Sequence, residues 1–578
     1  MMKNKMLSLQ QRLTDWMGSR ILEAFPGLET ASSEMQVQPT ANPQFGDFQW
    51  NAAMKLAPRV KKNPREVAKV LVGSVPPPEG VAKVDIAGPG FINFYLDDAT
   101  LAQQLMAMGQ DDRLGVPKPG QGHRVIMDYS SPNVAKPMHI GHIRSTVIGN
   151  ALDRLHRFMG YDVIADNHVG DWGTQFGIII MGYRHFLDKE ALKNAPVEEL
   201  ERVYRVSYER SKTDESWLDQ ARAELVKLQS GDPENLALWE EFIRLSKQEF
   251  DRTFQRLGVS FDLERGESWY RDRLAGVIAL LKEKGLYEES EGAGVVKLDA
   301  EGLPLSIVQK SDGGFNYTTT DLATVISRVE EFNPDRIIYV TDERQQLHFK
   351  QFFAIAAKLG FKVKLEHVWF GLMRLPDATF STREGNVIKL ERLLDEAVSR
   401  AFEMVRASTP EMPEADQRKV AEAVGIGAVK YADLSQNPQS LVTFTWEKAL
   451  SLEGNSAPYL QYAYARIASV RDKYRDQFPG KNFMDYPIVL GEEVERRLAI
   501  LLTRFGDVLQ SATSACRPNY LADYLYDLSQ TYSAFYQNVP FLKAEEGVRE
   551  SRIRLCDLVA RTLRTGLGLL GISTPDRI

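Results

Sequence analysis

Residues 124–173 constrain the fold of this chain more strongly than any other stretch of the sequence. A β-rich apolar run at residues 125–129 is followed by a proline-containing loop at residues 131–137. Between residues 143 and 158 apolar side chains recur every three or four positions, as in a helix, and residues 163–165 again favour a strand. This succession predicts a βαβ unit. Its right-handed crossover places the loop and the helix N-terminus at the carboxyl edge of a parallel sheet.

The residues expected at that edge include two histidines, His139 and His142, with Gly141 between them. Imidazoles three positions apart lie on one face of an opening helical turn, and a glycine leaves room for a bulky group against the backbone. A helix N-terminus also presents free N–H groups and a partial positive charge to anions. The arrangement predicts a nucleotide-phosphate site, although a short motif of this kind also arises by accident.

The residues around this H-I-G-H motif resemble the class I aminoacyl-tRNA synthetases, whose signature it is, and more closely the arginyl-tRNA synthetases. The longer family pattern, S-P-N-x-A-K-P-x-H-x-G-H-x-R-S-T-x-I-G-N, is matched by residues 131–150. The resemblance implies an α/β fold class: a Rossmann-like parallel-sheet catalytic domain with an N-terminal α/β domain and a C-terminal all-helical anticodon-binding domain. It also implies an arginine–tRNA ligase whose partners are L-arginine, ATP with Mg²⁺, and tRNA(Arg).

The composition is that of an ordinary protein with several domains. With 578 residues, of which 43% are hydrophobic, the chain is long enough for three or four well-filled domains. Its apolar runs are shorter than the roughly 20 residues of a membrane span, and its start lacks a signal-peptide core, so we expect no membrane contact and a cytoplasmic location. The net charge of -7 argues against bulk, sequence-blind nucleic-acid binding but permits a local basic track.

Cys516 and Cys556 are the only cysteines in the sequence. Two thiols are too few for a disulfide framework or a thiolate zinc site, so buried apolar positions are expected for both. No protein-bound zinc and no other metal-ligating residues are therefore expected.

The sequence divides into four segments. Residues 1–112 have the pattern of a small α/β unit, expected to bind the tRNA elbow, and residues 113–395 form the expected catalytic domain. Residues 396–452 are a helical connection to the expected anticodon-binding domain, residues 453–578. Within the catalytic domain a charged, helical insertion is expected at about residues 183–262.

A second group of polar residues follows residues 294–298, a strand pattern with which we expect the parallel sheet to resume. Asp321, taken alone, would be assigned as a helix cap or a dipole partner. A carboxylate at a sheet edge can also accept two parallel hydrogen bonds from a guanidinium. Such a site rejects lysine, whose ammonium is a point charge. Arginyl-tRNA synthetases bind arginine with a Tyr and an Asp four residues later, a spacing that Tyr317 and Asp321 match. The resemblance implies further contacts from Gln345 and, on the α-amino and carboxylate side, from Asp128 and Asn133.

Residues 379–386, T-F-S-T-R-E-G-N, align with the K-M-S-K-S-x-G-N loop with which class I synthetases grip the leaving pyrophosphate. Both loop lysines are missing, although adenylate formation needs a cation near the phosphates. Many arginyl enzymes show the same loss and carry a lysine just before H-I-G-H, a position that Lys136 fills. The resemblance thus implies Lys136, His139 and His142 as catalytic residues, with further ATP contacts from Gly141, Ser381 and Arg383.

Two aromatic segments are candidates for contact with RNA. Phe45 and Gln49 lie beside a basic stretch of the sequence. The plainer interpretation is that the aromatic residues pack in the core and the basic residues form a solvated helix face, but such a segment can also bind unpaired bases and phosphates. Arginyl-tRNA synthetases carry a similar F-G-D-[FY]-Q segment in a domain that contacts the tRNA elbow. Tyr459, Tyr462 and Arg466 share one face of a predicted helix, and a stripe of this kind more often packs in the hydrophobic core than binds a ligand. The family has nearly the same E-G-N-[ST]-x-P-Y-L-Q-Y-A-x-A-R-I, so tRNA contacts are implied at both places.

The expected reaction has two steps, adenylate formation and transfer to tRNA, and requires no protein nucleophile. A monomer is expected. Two alternatives stay open: a class I synthetase for another amino acid, and a tRNA-binding protein that has lost catalysis along with the loop lysines. An ATP–pyrophosphate exchange assay with twenty amino acids distinguishes the first alternative. Charging of tRNA by the parent protein and by Lys136→Ala distinguishes the second.

Overall fold

The N-terminal unit is a four-stranded antiparallel sheet packed against helices. The structure is a computed structural model that describes residues 8–28, 35–40, 42–374 and 389–578. The elements of the unit are α1 (Leu9–Ala24), β1 (Gln38–Pro39), β2 (Phe48–Trp50), α2 (Ala53–Val60), α3 (Pro64–Val72), β3 (Val81–Ala87), β4 (Phe91–Leu96) and α4 (Asp98–Gln110). The strand order is β1-β2-β4-β3. The unit has a hydrophobic core of its own, because its sheet and helices bury their apolar faces together.

The predicted βαβ unit is present, and a run of helices follows it. The elements are β5 (Arg124–Asp128), α5 (Ile140–Phe158), β6 (Asp162–Asn167), α6 (Gln175–Phe186), α7 (Lys189–Asn194), α8 (Pro196–Ser211), α9 (Glu215–Gln229), α10 (Pro233–Leu257) and β7 (Leu263–Glu264). Helix α5 begins at Ile140, three residues before the apolar pattern, because His139 caps it. Gly160, with φ +90°, takes the left-handed conformation that ends the helix.

The expectation that the parallel sheet resumes at residues 294–298 is wrong. The next elements are α11 (Leu274–Glu283), β8 (Glu288–Ser290), β9 (Ala293–Val296), β10 (Ser306–Gln309), α12 (Tyr317–Phe332), β11 (Arg336–Asp342), α13 (Gln346–Lys358), β12 (Lys364–Phe370) and β13 (Met373–Arg374). Strand β9 pairs antiparallel with β8 and β10 in a separate small sheet. The two-residue turn Glu291–Gly292, with φ +50° and +79°, forces this hairpin, because so short a turn joins only antiparallel strands.

The parallel sheet has the order β12-β11-β5-β6-β7, with β5 in the middle. All its pairings are parallel, and the register sets Asp128 of β5 beside Asp166 of β6. The buried Arg328 of α12, 1% exposed, donates to both carboxylates, at 2.6 Å to Asp128 and 2.8 Å to Asp166. This contact fixes α12 against the carboxyl edge of the sheet.

The rest of the chain is helical, as predicted. Its elements are α14 (Leu390–Ser408), α15 (Glu414–Leu434), β14 (Val442–Thr443), α16 (Trp446–Ala449), α17 (Ala457–Gln477), α18 (Glu493–Thr503), α19 (Phe505–Ser514), α20 (Pro518–Asn538) and α21 (Val548–Leu569). These helices share one core with α5, and Cys516 and Cys556 are buried in it, as predicted. In the part of the chain that the structure describes, every helix is too short or too polar to cross a membrane.

Arg496 of α18 joins the C-terminal helices to the N-terminal unit. Its guanidinium donates to both carboxylate oxygens of Asp47 at 2.8 Å and to Asp98 at 2.7 Å. Because Asp47 is only 8% exposed, Arg496→Met leaves a buried carboxylate without its cation. We predict a loss of about 2 kcal/mol in the free energy of unfolding, together with faster hydrogen exchange in β2 and β4. Urea unfolding and exchange mass spectrometry measure these effects.

Arg418→Met is the matched control, because Arg418 pairs with Glu414 on an exposed helix face. Loss of that pair should change the free energy of unfolding by no more than about 0.5 kcal/mol. Equal effects of the two substitutions would contradict the role of Arg496 as the link between the two parts.

Candidate active site

The loop between β5 and α5 reaches the carboxyl edge of the sheet in a strained conformation. Ser130, Ser131 and Ala135 have φ of +73°, +47° and +61°, a region that non-glycine residues rarely adopt. Each of their backbone amides donates to a side chain from another part of the chain. The acceptor is Ser145 for Ser130, at 2.8 Å, and Asn167 for Ser131, at 3.1 Å. For Ala135 it is Ser246, at 2.8 Å. The surrounding fold therefore holds the backbone of this loop in place.

His139 and His142 form a reciprocal cap at the start of α5. Nδ1 of His139 accepts the amide of Gly141 at 3.0 Å, and Nδ1 of His142 accepts the amide of His139 at 3.1 Å. Because each Nδ1 is an acceptor, the proton of each neutral ring is on Nε2. Burial, with nearby positive charge, lowers the pKa of His142 to about 3 and also lowers that of His139. Two neutral N–H donors are therefore available at a helix N-terminus.

Lys136 and Gly141 complete this end of the site. Lys136 is exposed, and its charge contributes to the lowered pKa values of both histidines, so its ammonium lies near both rings. Gly141 is exposed as well, and a Cβ there would come within 2.8 Å of the His139 ring. The glycine therefore allows His139 to bend back over the helix start.

Tyr317 and Asp321 lie one helical turn apart on α12. Asn316, rather than Asp321, caps this helix, and Asp321 instead bonds Nε2 of His348 at 2.5 Å. Tyr317 is 68% exposed, and Gln345 is exposed in the turn between β11 and α13. Arg344, next to Gln345, contributes to the lowered pKa of His139. The chain from Arg344 to His348 thus approaches His139 at one end and bonds Asp321 at the other.

Asp128 and Asn133 lie at the same edge with different surroundings. Asp128 is buried, and its two oxygens accept bonds from Arg328 at 2.6 Å and from Ser131 at 3.1 Å. Asn133 is exposed, and its amide oxygen lies only 2.2 Å from where a Cβ on Gly170 would be. Gly170 therefore has to be a glycine for Asn133 to occupy this position.

Sequence reasoning missed two residues of this group, Glu267 and His348. Burial raises the pKa of Glu267 to about 7, and Asp171 and Asp321 raise it further against the effect of His168. Glu267 in turn acts electrostatically on Tyr317, so its carboxyl group lies near that side chain. Glu267 follows β7 at the sheet edge, and its place after a strand was the only signal in the sequence.

Ser381 and Arg383 lie outside the described residues. The residues on either side of that segment contact the start of α5. Gly371 accepts a bond from Arg144 at 2.7 Å, and the amide of Leu390 donates to Met138 at 2.9 Å. Lys389 pairs with His139 through the main chain.

The residues predicted to contact RNA are far in the sequence from the residues at the carboxyl edge of the sheet, and they differ in exposure. Phe45 is 46% exposed, whereas Gln49 is half-buried and donates to Asn93 at 2.7 Å. On α17, Tyr462 is 40% exposed and the guanidinium of Arg466 lies 4.9 Å from its ring centre. Tyr459 is half-buried against Tyr526.

Three family models match the chain. The model described as the class I (R) tRNA synthetase catalytic domain matches residues 103–446. The arginyl tRNA synthetase N-terminal domain matches residues 9–96, and the DALR anticodon-binding domain matches residues 460–578.

Known proteins are similar over the whole length. The arginine–tRNA ligase of Fusobacterium nucleatum is 45% identical over 564 residues, which cover 97% of this chain and 98% of that protein. The arginine–tRNA ligase of Azotobacter vinelandii is 45% identical over 99% of both chains. The solved structure of arginyl-tRNA synthetase from Plasmodium falciparum is 27% identical, with a TM-score of 0.84 over 99% of each chain.

The parallel sheet, the capped helix at its carboxyl edge and the catalytic-domain match together define a class I aminoacyl-tRNA synthetase, which is an aminoacyl-tRNA ligase. Within that class the chain belongs to the arginyl-tRNA synthetase family. The resemblance, the fold class and the kind of enzyme predicted from the sequence are confirmed.

The neutral state of His142 gives a pH-dependent contribution to stability. Its pKa is about 3 in the folded protein against 6.5 for the unconstrained group, so the unfolded state binds more protons below pH 6.5. The contribution is complete above that pH and is lost as the pH falls. The comparison variant is His142→Asn, which keeps an acceptor for the His139 amide. When the pH falls from 7.5 to 5.5, the free energy of unfolding of the parent should decrease by about 1.4 kcal/mol more than that of the variant.

Urea unfolding of both proteins at the two pH values measures this difference. His139→Asn is a useful comparison, because His139 shares the cap but is less deeply buried. The same loss in the parent and in His142→Asn would mean that folding does not lower the pKa of His142.

Proposed function

We propose that the chain activates L-arginine with ATP and transfers it to the 3′-terminal ribose of tRNA(Arg). The arginine carboxylate attacks the α-phosphate, giving arginyl adenylate and pyrophosphate, and the 2′-hydroxyl of the tRNA then attacks the adenylate and releases AMP. One observation carries the proposal: the Asp321 and Glu267 carboxylates lie at the same sheet edge as the neutral donors at the start of α5. A guanidinium and a triphosphate therefore have complementary groups in one cleft.

Asp321 and Glu267 receive the guanidinium, with Tyr317 and Gln345 beside them. A planar cation with several N–H donors satisfies two carboxylates and neighbouring oxygens, whereas the point charge of lysine leaves acceptors unpaired. Glu267, with a pKa of about 7 raised by burial, loses its proton when the cation arrives. Asn133 contacts the α-amino and carboxylate side. Asp128, both of whose oxygens are bonded, holds that side in place.

His139 and His142 donate from Nε2 to the phosphates of ATP, and the N–H groups of the α5 N-terminus add to this interaction. Neutral donors suit this task, since they bind ATP without depending on pH in the physiological range. Lys136 meets the charge that develops at the α-phosphate. Gly141 lies under the adenine and ribose, and Ser381 and Arg383 are proposed as further ATP contacts.

Mg²⁺ enters with ATP as part of the substrate. Among the described residues, no group of three or more His, Cys, Asp and Glu side chains has the arrangement of a metal site. The enzyme carries no structural zinc in this proposal. The burial of Cys516 and Cys556 in the core supports this. Burial raises the pKa of Cys516 to about 11 and so disfavours the thiolate that would bind a metal.

The tRNA is held at three places. Residues 1–112 bind the elbow through Phe45 and Gln49, and residues 113–395, with the insertion at 183–262, bind the acceptor end. Residues 453–578, reached through the connection at 396–452, bind the anticodon loop through Tyr459, Tyr462 and Arg466. The exposed Tyr462 ring with its adjacent guanidinium supports the last assignment, because such pairs stack on unpaired bases. The protein acts as a cytoplasmic monomer.

Asp321→Asn tests the amino-acid site. Asparagine keeps a hydrogen bond with His348, so the fold is retained, but the negative charge that faces the guanidinium is lost. We predict that kcat/KM for arginine falls about 100-fold in aminoacylation of tRNA(Arg), with KM for ATP unchanged.

Asp299→Asn, an exposed carboxylate near the small antiparallel sheet, is the control and should retain activity within about twofold. An equally active Asp321→Asn would refute the arginine site. A parent protein that exchanges pyrophosphate best with an amino acid other than arginine would refute the proposed function.

A further inference from the structure

Two lysines flank the His139 end of α5, and one helix of the insertion contacts both. Lys389 is joined to His139 through the main chain, and its ammonium pairs with Glu198 at 2.7 Å. Lys136 forms no ion pair within the residues that the structure describes, and its Nζ lies 5.2 Å from the ring centre of Tyr204. Glu198 and Tyr204 both belong to α8.

The two kinds of partner leave the two lysines in different states. A carboxylate cancels the charge of an ammonium and competes with phosphate for it. An aromatic ring attracts the ammonium through its quadrupole and leaves the positive charge intact. Lys389 also lies near Glu249, on which it acts electrostatically together with Glu198. Of these two lysines, Lys136 is therefore the one whose charge is free to meet a phosphate.

The ring of Tyr204 is itself held in place. It stacks on Tyr208, with ring centres 5.9 Å apart and planes inclined by 13°. It also packs in the same hydrophobic cluster as Val134 and Ala135, the two residues that precede Lys136. The backbone that carries the ammonium and the ring that attracts it are thus parts of one packed unit, so the distance between them is fixed.

We propose that Tyr204 is the positioning residue for Lys136, holding its ammonium beside His139 and His142 without neutralising it, in place of the lysines missing from the loop. The inference rests on the proposed function, in which Lys136 meets the charge at the α-phosphate. Tyr204 touches no reacting atom. It limits the conformations of a flexible four-carbon side chain, so that less ordering is needed in the transition state.

Only the ring is required for this role. Within the described residues the Tyr204 hydroxyl makes no hydrogen bond, so Tyr204→Phe should keep most of the effect. Tyr204→Leu fills a similar place in the cluster but removes the π face. We expect kcat for ATP–pyrophosphate exchange, with arginine and tRNA present, to fall about tenfold in Tyr204→Leu and to stay within about twofold in Tyr204→Phe.

Tyr183→Leu is the matched control. Tyr183 packs in the same cluster, against Phe242, and is given no role in the site. It should show the parent kcat, with any fall in melting temperature equal to that of Tyr204→Leu. The KM for arginine should be unchanged in both variants, because the ring acts on the phosphate side of the reaction.

A double-mutant cycle separates positioning from a purely structural effect. If Tyr204 acts through Lys136, adding Tyr204→Leu to Lys136→Met lowers kcat no further. A further tenfold loss in the double variant overturns the inference, as does a Tyr204→Leu protein that matches Tyr183→Leu. A fully active Lys136→Met protein refutes the proposed role of Lys136 itself, and that outcome is distinct from the other two.

Discussion

The buried guanidinium of Arg328 is the contact on which the site depends. Burial alone would lower its pKa, but the carboxylates of Asp128 and Asp166 outweigh that effect and raise it, so the group stays charged. Asp128 and Asp166 end two neighbouring strands, and Arg328 comes from the helix that carries Tyr317 and Asp321. Removing one member would leave uncompensated charge in the interior, which is strongly destabilising. The triad therefore couples the helix that carries Tyr317 and Asp321 to the sheet.

Charge is separated along the carboxyl edge of the sheet. Asp321 and Glu267 place carboxyl groups on one side, whereas the start of α5 carries neutral N–H donors with the ammonium of Lys136 nearby. Helix α8 maintains this separation, because Glu198 neutralises Lys389 while Tyr204 leaves Lys136 charged. One helix thus gives two neighbouring lysines different electrostatic surroundings, and the proposed role of Lys136 depends on that difference.

Much of the fold could be predicted because its signals are local. The apolar period of α5, the strands on either side of it and the burial of both cysteines follow from sequence neighbours alone. The candidate site residues could be proposed for the same reason, since H-I-G-H and the Tyr317–Asp321 spacing each lie within a single helical turn. The strand at Ala293–Val296 was assigned to the wrong sheet, because its apolar character is the same in either sheet and only the turn at Gly292 decides its partner.

The sequence by itself determined the βαβ unit, the family pattern and the types of residue proposed for the site. Tertiary structure alone decided which side chains face one another: Arg328 with Asp128, Asp321 with His348, and Lys136 with Tyr204. The physical reason is that backbone preference acts between residues a few positions apart. Ion pairs and ring contacts depend instead on how whole helices pack, which no short stretch of sequence specifies.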